Sequence, residues 1–198
     1  MLRFLVATFL VANVSYAESY EERSIKKAAD RVGVPAALLR AICYAESKLN
    51  RYAYAHQDGR SLGSAFGMCQ VLYATAKGYG MNDEKCKESF LNRKDKVYKS
   101  CKLFGPYTSA YYAARVLKAQ LRRYDNNYIN AVAAYNSGTV RSCPRRGSYT
   151  IHIFDKKANK LRKMRRKCVP GSIMNQDYVD RVMKFMVTET DLIFNHIK

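Results

Sequence analysis

Glu46 is the side chain in this 198-residue sequence whose setting could make it an acid catalyst. It stands near the end of a helical run that opens at Pro35, a residue suited to the first helical position. It shares a face with Leu38, Leu39, Ile42, Cys43 and Leu49 at three- and four-residue spacing. A carboxyl on an apolar face is desolvated, and one in a last turn meets the negative end of the helix dipole. Both disfavour the charged form. A carboxyl still protonated near neutral pH is a proton donor. An ordinary amphipathic helix, with its last acid turned out to solvent, carries the same local pattern, so the remaining elements must decide.

The six cysteines, Cys43, Cys69, Cys86, Cys101, Cys143 and Cys168, contain no Cys-x-x-Cys pair, and His56, His152 and His196 are scattered. Zinc is therefore the weaker use of these residues, and neither a metal nor a cofactor is expected. Residues 1–17 stand apart: Arg3, a mostly apolar stretch from Phe4 to Val14, and Ser15-Tyr16-Ala17 with small residues at both cleavage positions. That is the pattern of a secretory signal peptide. Its apolar run is short for a transmembrane span, an uncleaved anchor being the alternative. Cleavage would leave residues 18–198 as one domain in the periplasm or outside the cell. It would remove Arg3 and no acid, so the formal charge falls from +19 to +18. For an exported chain this charge fits cell-wall polymers, anionic lipid or extracellular nucleic acid without choosing among them. An even cysteine count in such a chain points to disulfides. Fifteen pairings are open for six cysteines. Locality favours Cys86 with Cys101 and Cys143 with Cys168, which leaves Cys43 with Cys69.

The elements that must position Glu46 are mostly helical. Tyr20–Val32 reads as a first helix with Ile25, Ala28, Ala29 and Val32 on one face, ended by Gly33 and Pro35. From Arg51 to Phe66 the periodicity vanishes in a loop, with at most a short strand, that would rim a cleft. Gly67–Val71 leads into a short helix, Leu72–Lys77, stopped by Gly78 and Gly80. Asn82–Pro106 is a Lys-rich turn and loop; Ser109–Tyr124 and Asn130–Asn136 are helices. Between about 139 and 172 the pattern changes. Ser148–Phe154 alternates like a strand, Asp155–Asn159 reads as a turn, and Lys160–Lys167 is intensely basic. We expect a β-hairpin insert tied at its base by Cys143 and Cys168. Asn175–Ile197 is a last helix, with Tyr178, Val182, Phe185, Met186 and Ile193 near one stripe.

Four separated pieces then fall in order: Glu46-Ser47 with Asn50, Gly67-Met68-Cys69-Gln70, Ala133-Ala134-Tyr135-Asn136-Ser137-Gly138, and Tyr178-Val179 with Val182. Together they resemble the lytic transglycosylases of the soluble-transglycosylase type, in the lysozyme-like superfamily. The resemblance runs from about residue 25 to about 190. It implies a mainly α, lysozyme-like (α+β) single domain that cleaves peptidoglycan glycan strands. The runs Ala41–Ser47 and Phe66–Gln70 further resemble the compact transglycosylases that open the wall for secretion and conjugation machines, whose components would then be partners. A Cys43–Cys69 bridge would clamp the acid's helix to the Gly67–Gln70 turn.

By this resemblance Glu46 would protonate the glycosidic oxygen between N-acetylmuramic acid and N-acetylglucosamine. It would then take a proton from the muramic C6 hydroxyl, leaving a 1,6-anhydro end. The substrate's acetamido group and its own hydroxyl replace a second carboxylate, which ordinary glycosidases need at a set distance. Asp58, the nearest acid that could pair, reads as a turn residue before Gly59. Ser47 and Gln70 match positions that bind the sugar, Met68 a position lining the pocket, and Tyr135 one whose hydroxyl approaches the acid. Asn136 would be structural or substrate-binding, and Tyr178 would stack on a sugar or hold the last helix. The sequence departs from the family pattern at Met68-Cys69, at Tyr73 where Pro is common, at Ser109 where Asn is common, and in the basic insert. Two other functions fit parts of the sequence: a hydrolase of peptidoglycan or chitin on the same fold, and an inactive module binding wall polymers or nucleic acid through the basic hairpin. No sequence-specific nucleic-acid binding is expected.

Overall fold

The computed structural model describes residues 18–55, 64–83, 85–86, 100–155 and 160–195. The signal-peptide segment, the loop containing His56 and Asp58, most of the Lys-rich segment and the turn at 156–159 lie outside the described residues.

Helix α1 (Tyr20–Val32) starts at a capping box: Ser19 accepts from the Glu22 amide while the Glu22 side chain accepts from the Ser19 amide. It stops at Gly33, whose φ of 75° is the left-handed conformation expected of a helix terminator. Helix α2 (Ala36–Ser47) follows at once, with Pro35 as the N-cap, one position earlier than its assignment as first helical residue. An Arg40–Glu22 ion pair at 2.7 Å joins the two helices. Helix α4 (Pro106–Arg123) begins three residues before the expected Ser109, with Pro106 in its first turn, where a missing N–H is harmless. Its predecessor α3 (Tyr73–Gly78) is short. Helix α5 (Tyr128–Ser137) is capped by Asn127, whose side chain accepts from the Asn130 amide at 3.0 Å. The last helix, α6 (Gln176–Asn195), packs along α2, while α1 and α5 pack against α4.

These helices bury one apolar core. Ile25, Leu38, Leu39, Ile42, Leu117, Val132, Val179 and Val182 are each at most 2% exposed, so every helix from α1 to α6 except the short α3 drives a fully buried aliphatic side chain into it. Beside the helices lies an antiparallel sheet in the order β1-β2-β3, made of Tyr54–Ala55, Ala65–Phe66 and Val71–Leu72. The sequence reading put Leu72 in a helix and left the Gly67–Val71 stretch as its lead-in. Val71–Leu72 instead pair with Phe66 and Ala65. Two-residue strands are too short for alternation to register, and their hydrogen-bonding partners, not their propensity, make them strands.

The hairpin is present. Strands β4 (Ser148–Asp155) and β5 (Lys160–Lys167) pair antiparallel in the register Ser148↔Lys167 to Asp155↔Lys160. Cys86–Cys101 and Cys143–Cys168 pair as locality favoured, and the two cysteines left over, Cys43 and Cys69, are joined as well. Closing the 26-residue separation between Cys43 and Cys69 restricts the unfolded chain. By loop-entropy arguments that is worth about 3–4 kcal/mol. Among the described residues, no helix is long and apolar enough to cross a membrane.

Candidate active site

Two pieces of irregular backbone meet at the end of α2. The helix terminates at Lys48 (φ 56°), and Leu49 follows with φ 61°. Consecutive left-handed residues that are not glycine reverse the chain directly after Glu46-Ser47, at a cost of about 1–2 kcal/mol each. The opposing piece is the turn Gly67–Gln70. Most of its groups are satisfied by residues far away in the sequence. Ser47 Oγ donates to the Met68 carbonyl at 2.7 Å, Tyr135 Oη to the Cys69 carbonyl at 2.9 Å, and Gln70 Nε2 to the Gly67 carbonyl at 2.9 Å. The Cys69 amide donates to Ser109 Oγ at 3.2 Å, and the Gly67 amide to the Ala53 carbonyl at 2.9 Å. Ser109 is thus the buried anchor between this turn and α4. The Cys43–Cys69 disulfide adds a covalent tie from α2.

Glu46 is half-buried in the last turn of α2. Tyr178, reaching across from α6, donates its hydroxyl to Glu46 Oε1 at 2.7 Å. The Asn136 amide also lies close enough to favour the ionised carboxyl. It is oriented by Asn175, whose Nδ2 donates to Asn136 Oδ1 at 3.2 Å and to the Ala133 carbonyl at 2.9 Å. The Arg181 guanidinium lies 5.8 Å from the Tyr178 ring centroid, and its charge favours ionised Glu46. Burial outweighs these, so Glu46 titrates above an ordinary carboxyl; the hydrogen bonds and Arg181 hold the rise in check. Burial and the nearby Glu46 charge push Tyr135 and Tyr178 well above an ordinary phenol, so both hydroxyls stay protonated donors. Among the described residues, the groups acting on Glu46 are Tyr178, Arg181 and Asn136, and none is a carboxylate.

The residues named from the sequence therefore converge on Glu46 and this turn. Ser47, Gln70 and Tyr135 each hold a carbonyl of the turn. Met68 is fully buried, with its side chain in the apolar core. Of the two expectations for Tyr178, the geometry shows the tie between the last helix and α2. Asn175 and Arg181 were missed. Arg181 lies one helical turn beyond Tyr178 and could have been found by that spacing, whereas Asn175 carries no signal beyond its place at the mouth of α6.

Helices packed beside a small antiparallel sheet, with a half-buried acid in the last turn of the second helix, define a lysozyme-like α+β domain. The chain belongs to the transglycosylase SLT domain family, which matches residues 23–149. Among solved structures it is similar to an inactive mutant of lytic transglycosylase Slt from Pseudomonas aeruginosa, at 21% identity and a TM-score of 0.42. That match covers 60% of this chain and 17% of the other, so the chain spans only a small part of that protein's length. The family match ends inside β4. The hairpin's second strand and the helix bearing Tyr178 lie beyond it.

Proposed function

We propose that this chain is an exported peptidoglycan lytic transglycosylase in which Glu46 serves alone as acid and then as base. The observation that carries the reading is a carboxyl raised by burial and held by a neutral Tyr178 hydroxyl at 2.7 Å in a transglycosylase-family domain. In the first step protonated Glu46 gives its proton to the glycosidic oxygen as the bond to muramic C1 breaks. The substrate's acetamido oxygen stabilises the cation. In the second step the C6 hydroxyl closes on C1 and its proton returns to Glu46, restoring the acid. Tyr178 and Asn136 steady the carboxylate formed between the steps, and Arg181 lowers its cost. Peptidoglycan digested by the purified chain should release muropeptides with 1,6-anhydro ends, identified by mass. Reducing ends alone would assign a hydrolase, and no release would leave only a binding module.

Tyr178→Phe removes a donor that favours ionised Glu46, so the Glu46 pKa should rise further and the basic limb of the pH–rate profile should move to higher pH. The rate should fall about tenfold, the worth of one charge-assisted hydrogen bond. A basic limb that stayed in place would separate Tyr178 from the acid.

The hairpin is read as a wall-anchoring arm. Arg145, Arg146, Arg165, Arg166 and Lys167 are exposed beside or on it. Neutralising these with Lys163 should weaken salt-sensitive pelleting with isolated walls and leave cleavage of short soluble glycans unchanged. Equal pelleting by variant and parent would remove this role. The motifs around Glu46 and Gln70 resemble those of transglycosylases serving secretion or conjugation machines, which supports a role in opening the wall locally. Cells lacking the chain should then fail to build an envelope-spanning assembly while growing normally; intact assembly would argue against it.

A further inference from the structure

On a surface that shares no residue with the Glu46 site, the end of α1, the residue after α3 and one face of α4 line an open pocket of about 390 Å³. Its lining includes Arg31, Arg115, Lys118 and Arg122 with Tyr79 and Tyr111, and no carboxylate. The α4 residues Tyr111, Arg115, Lys118 and Arg122 recur every three or four positions, so a single helix face presents them all.

Two of the cations are held in place. Lys118 Nζ donates to the Val32 carbonyl at the end of α1, where the helix dipole is negative. Arg115 Nη1 donates to the Tyr79 carbonyl at 2.8 Å, and its guanidinium lies 5.0 Å from the Tyr79 ring centroid and 5.9 Å from that of Tyr111. That one contact leaves the rest of the Arg115 fork free in direction. Arg31 and Arg122 are exposed at the rim. Among the described residues, none of these four cations joins an ion pair; that interaction belongs to Arg40 and Glu22. A purely solubilising face would spread its charges over convex surface. Here four positive groups converge in a concavity, where their fields add and raise the local concentration of anions.

We propose that this pocket binds a phosphate-bearing small ligand. The Arg115 fork and the Lys118 ammonium would grip a phosphate or diphosphate group, Arg31 and Arg122 would complete its neutralisation, and the Tyr111 ring would cover the attached ring or chain. The site is independent of the glycan-cleaving reaction and would carry a second, anionic ligand on the same domain.

Inorganic pyrophosphate is the probe, titrated calorimetrically into the folded chain at constant ionic strength. Saturable binding at one site is expected, weakened roughly 10- to 100-fold by Arg115→Gln, the loss of one or two charge-assisted contacts. Arg165→Gln, which removes the same charge from the hairpin, should bind as the parent does. If Arg115→Gln lowers the melting temperature, Arg122→Gln carries the test, because that side chain is exposed: weaker binding supports the site and unchanged binding overturns it. Non-saturable binding, or equal weakening by Arg115→Gln and Arg165→Gln, would reduce the pocket to general charge attraction and overturn the proposal.

Discussion

Glu46→Gln is expected to abolish release of soluble muropeptides while leaving the domain folded. Because the same carboxyl is proposed to act in both proton transfers, the loss should reach the upper part of the roughly 10²- to 10⁴-fold range of general acid–base catalysis. Glutamine keeps an oxygen to accept from Tyr178, so the 2.7 Å contact has a successor and no hydroxyl is orphaned. Stability should change with a definite sign. Glu46 has a folded pKa raised above the ordinary 4.5, so the stability it contributes is fully present below 4.5 and is lost as pH rises through its folded value. The variant cannot ionise there. Its melting temperature at neutral pH should therefore equal or exceed the parent's, with the difference shrinking as pH falls through the folded value and gone below 4.5. Retained activity would remove Glu46 from the mechanism, and a less stable variant at neutral pH would contradict the burial that raises its pKa.

Gly67→Ala should be the most damaging small substitution. Gly67 has φ +74°, and a Cβ there would run into the Leu103 carbonyl and approach Ser109 Oγ to 2.7 Å and Ser109 Cβ to 3.1 Å. The carbonyl belongs to backbone, so the conflict cannot be relieved by a rotamer change. Left-handed strain and overpacking each cost about 1–3 kcal/mol, giving roughly 4 kcal/mol together. Since Ser109 also accepts from the Cys69 amide, the displacement would pass directly into the Gly67–Gln70 turn, and activity should fall with stability. Gly138→Ala is the control: its φ is +79°, but nothing lies within 4 Å of the added carbon. Only the strain of about 1–2 kcal/mol should appear. Urea melts that showed equal losses for the two would mean that close approach, not φ alone, has been misjudged at Gly67.

Ser47, Gln70 and Tyr135 illustrate how far residue types carry. Their motif positions are legible, and the structure brings all three to one turn. The resemblance assigns Ser47 and Gln70 to the sugar, yet in the folded chain both donate to carbonyls of the Gly67–Gln70 segment. A short turn between two strands has carbonyls pointing outward with no ladder to receive them, so side chains must. Which side chains do so depends on where α2, α4 and α5 are packed, and no local pattern reports that. The same holds for Lys48 and Leu49: helix α2 ends without a glycine, so its reversal leaves no compositional trace.

By itself the sequence determined the local and the repetitive. Gly33 ends α1, the apolar face of α2 carries Glu46, alternation followed by a basic run marks the hairpin, and cysteine locality favours two of the three pairings found. Each depends on residues close in the chain or on a repeat of period 2 or 3.6, which composition encodes directly. The tertiary structure alone decided what meets the acid. Tyr178 comes from 132 residues away and from outside the family match, and Asn175 and Arg181 arrive with it on α6. Periodicity says which face of α6 is apolar; only the packing of that face along α2 sets a phenol against Glu46 Oε1.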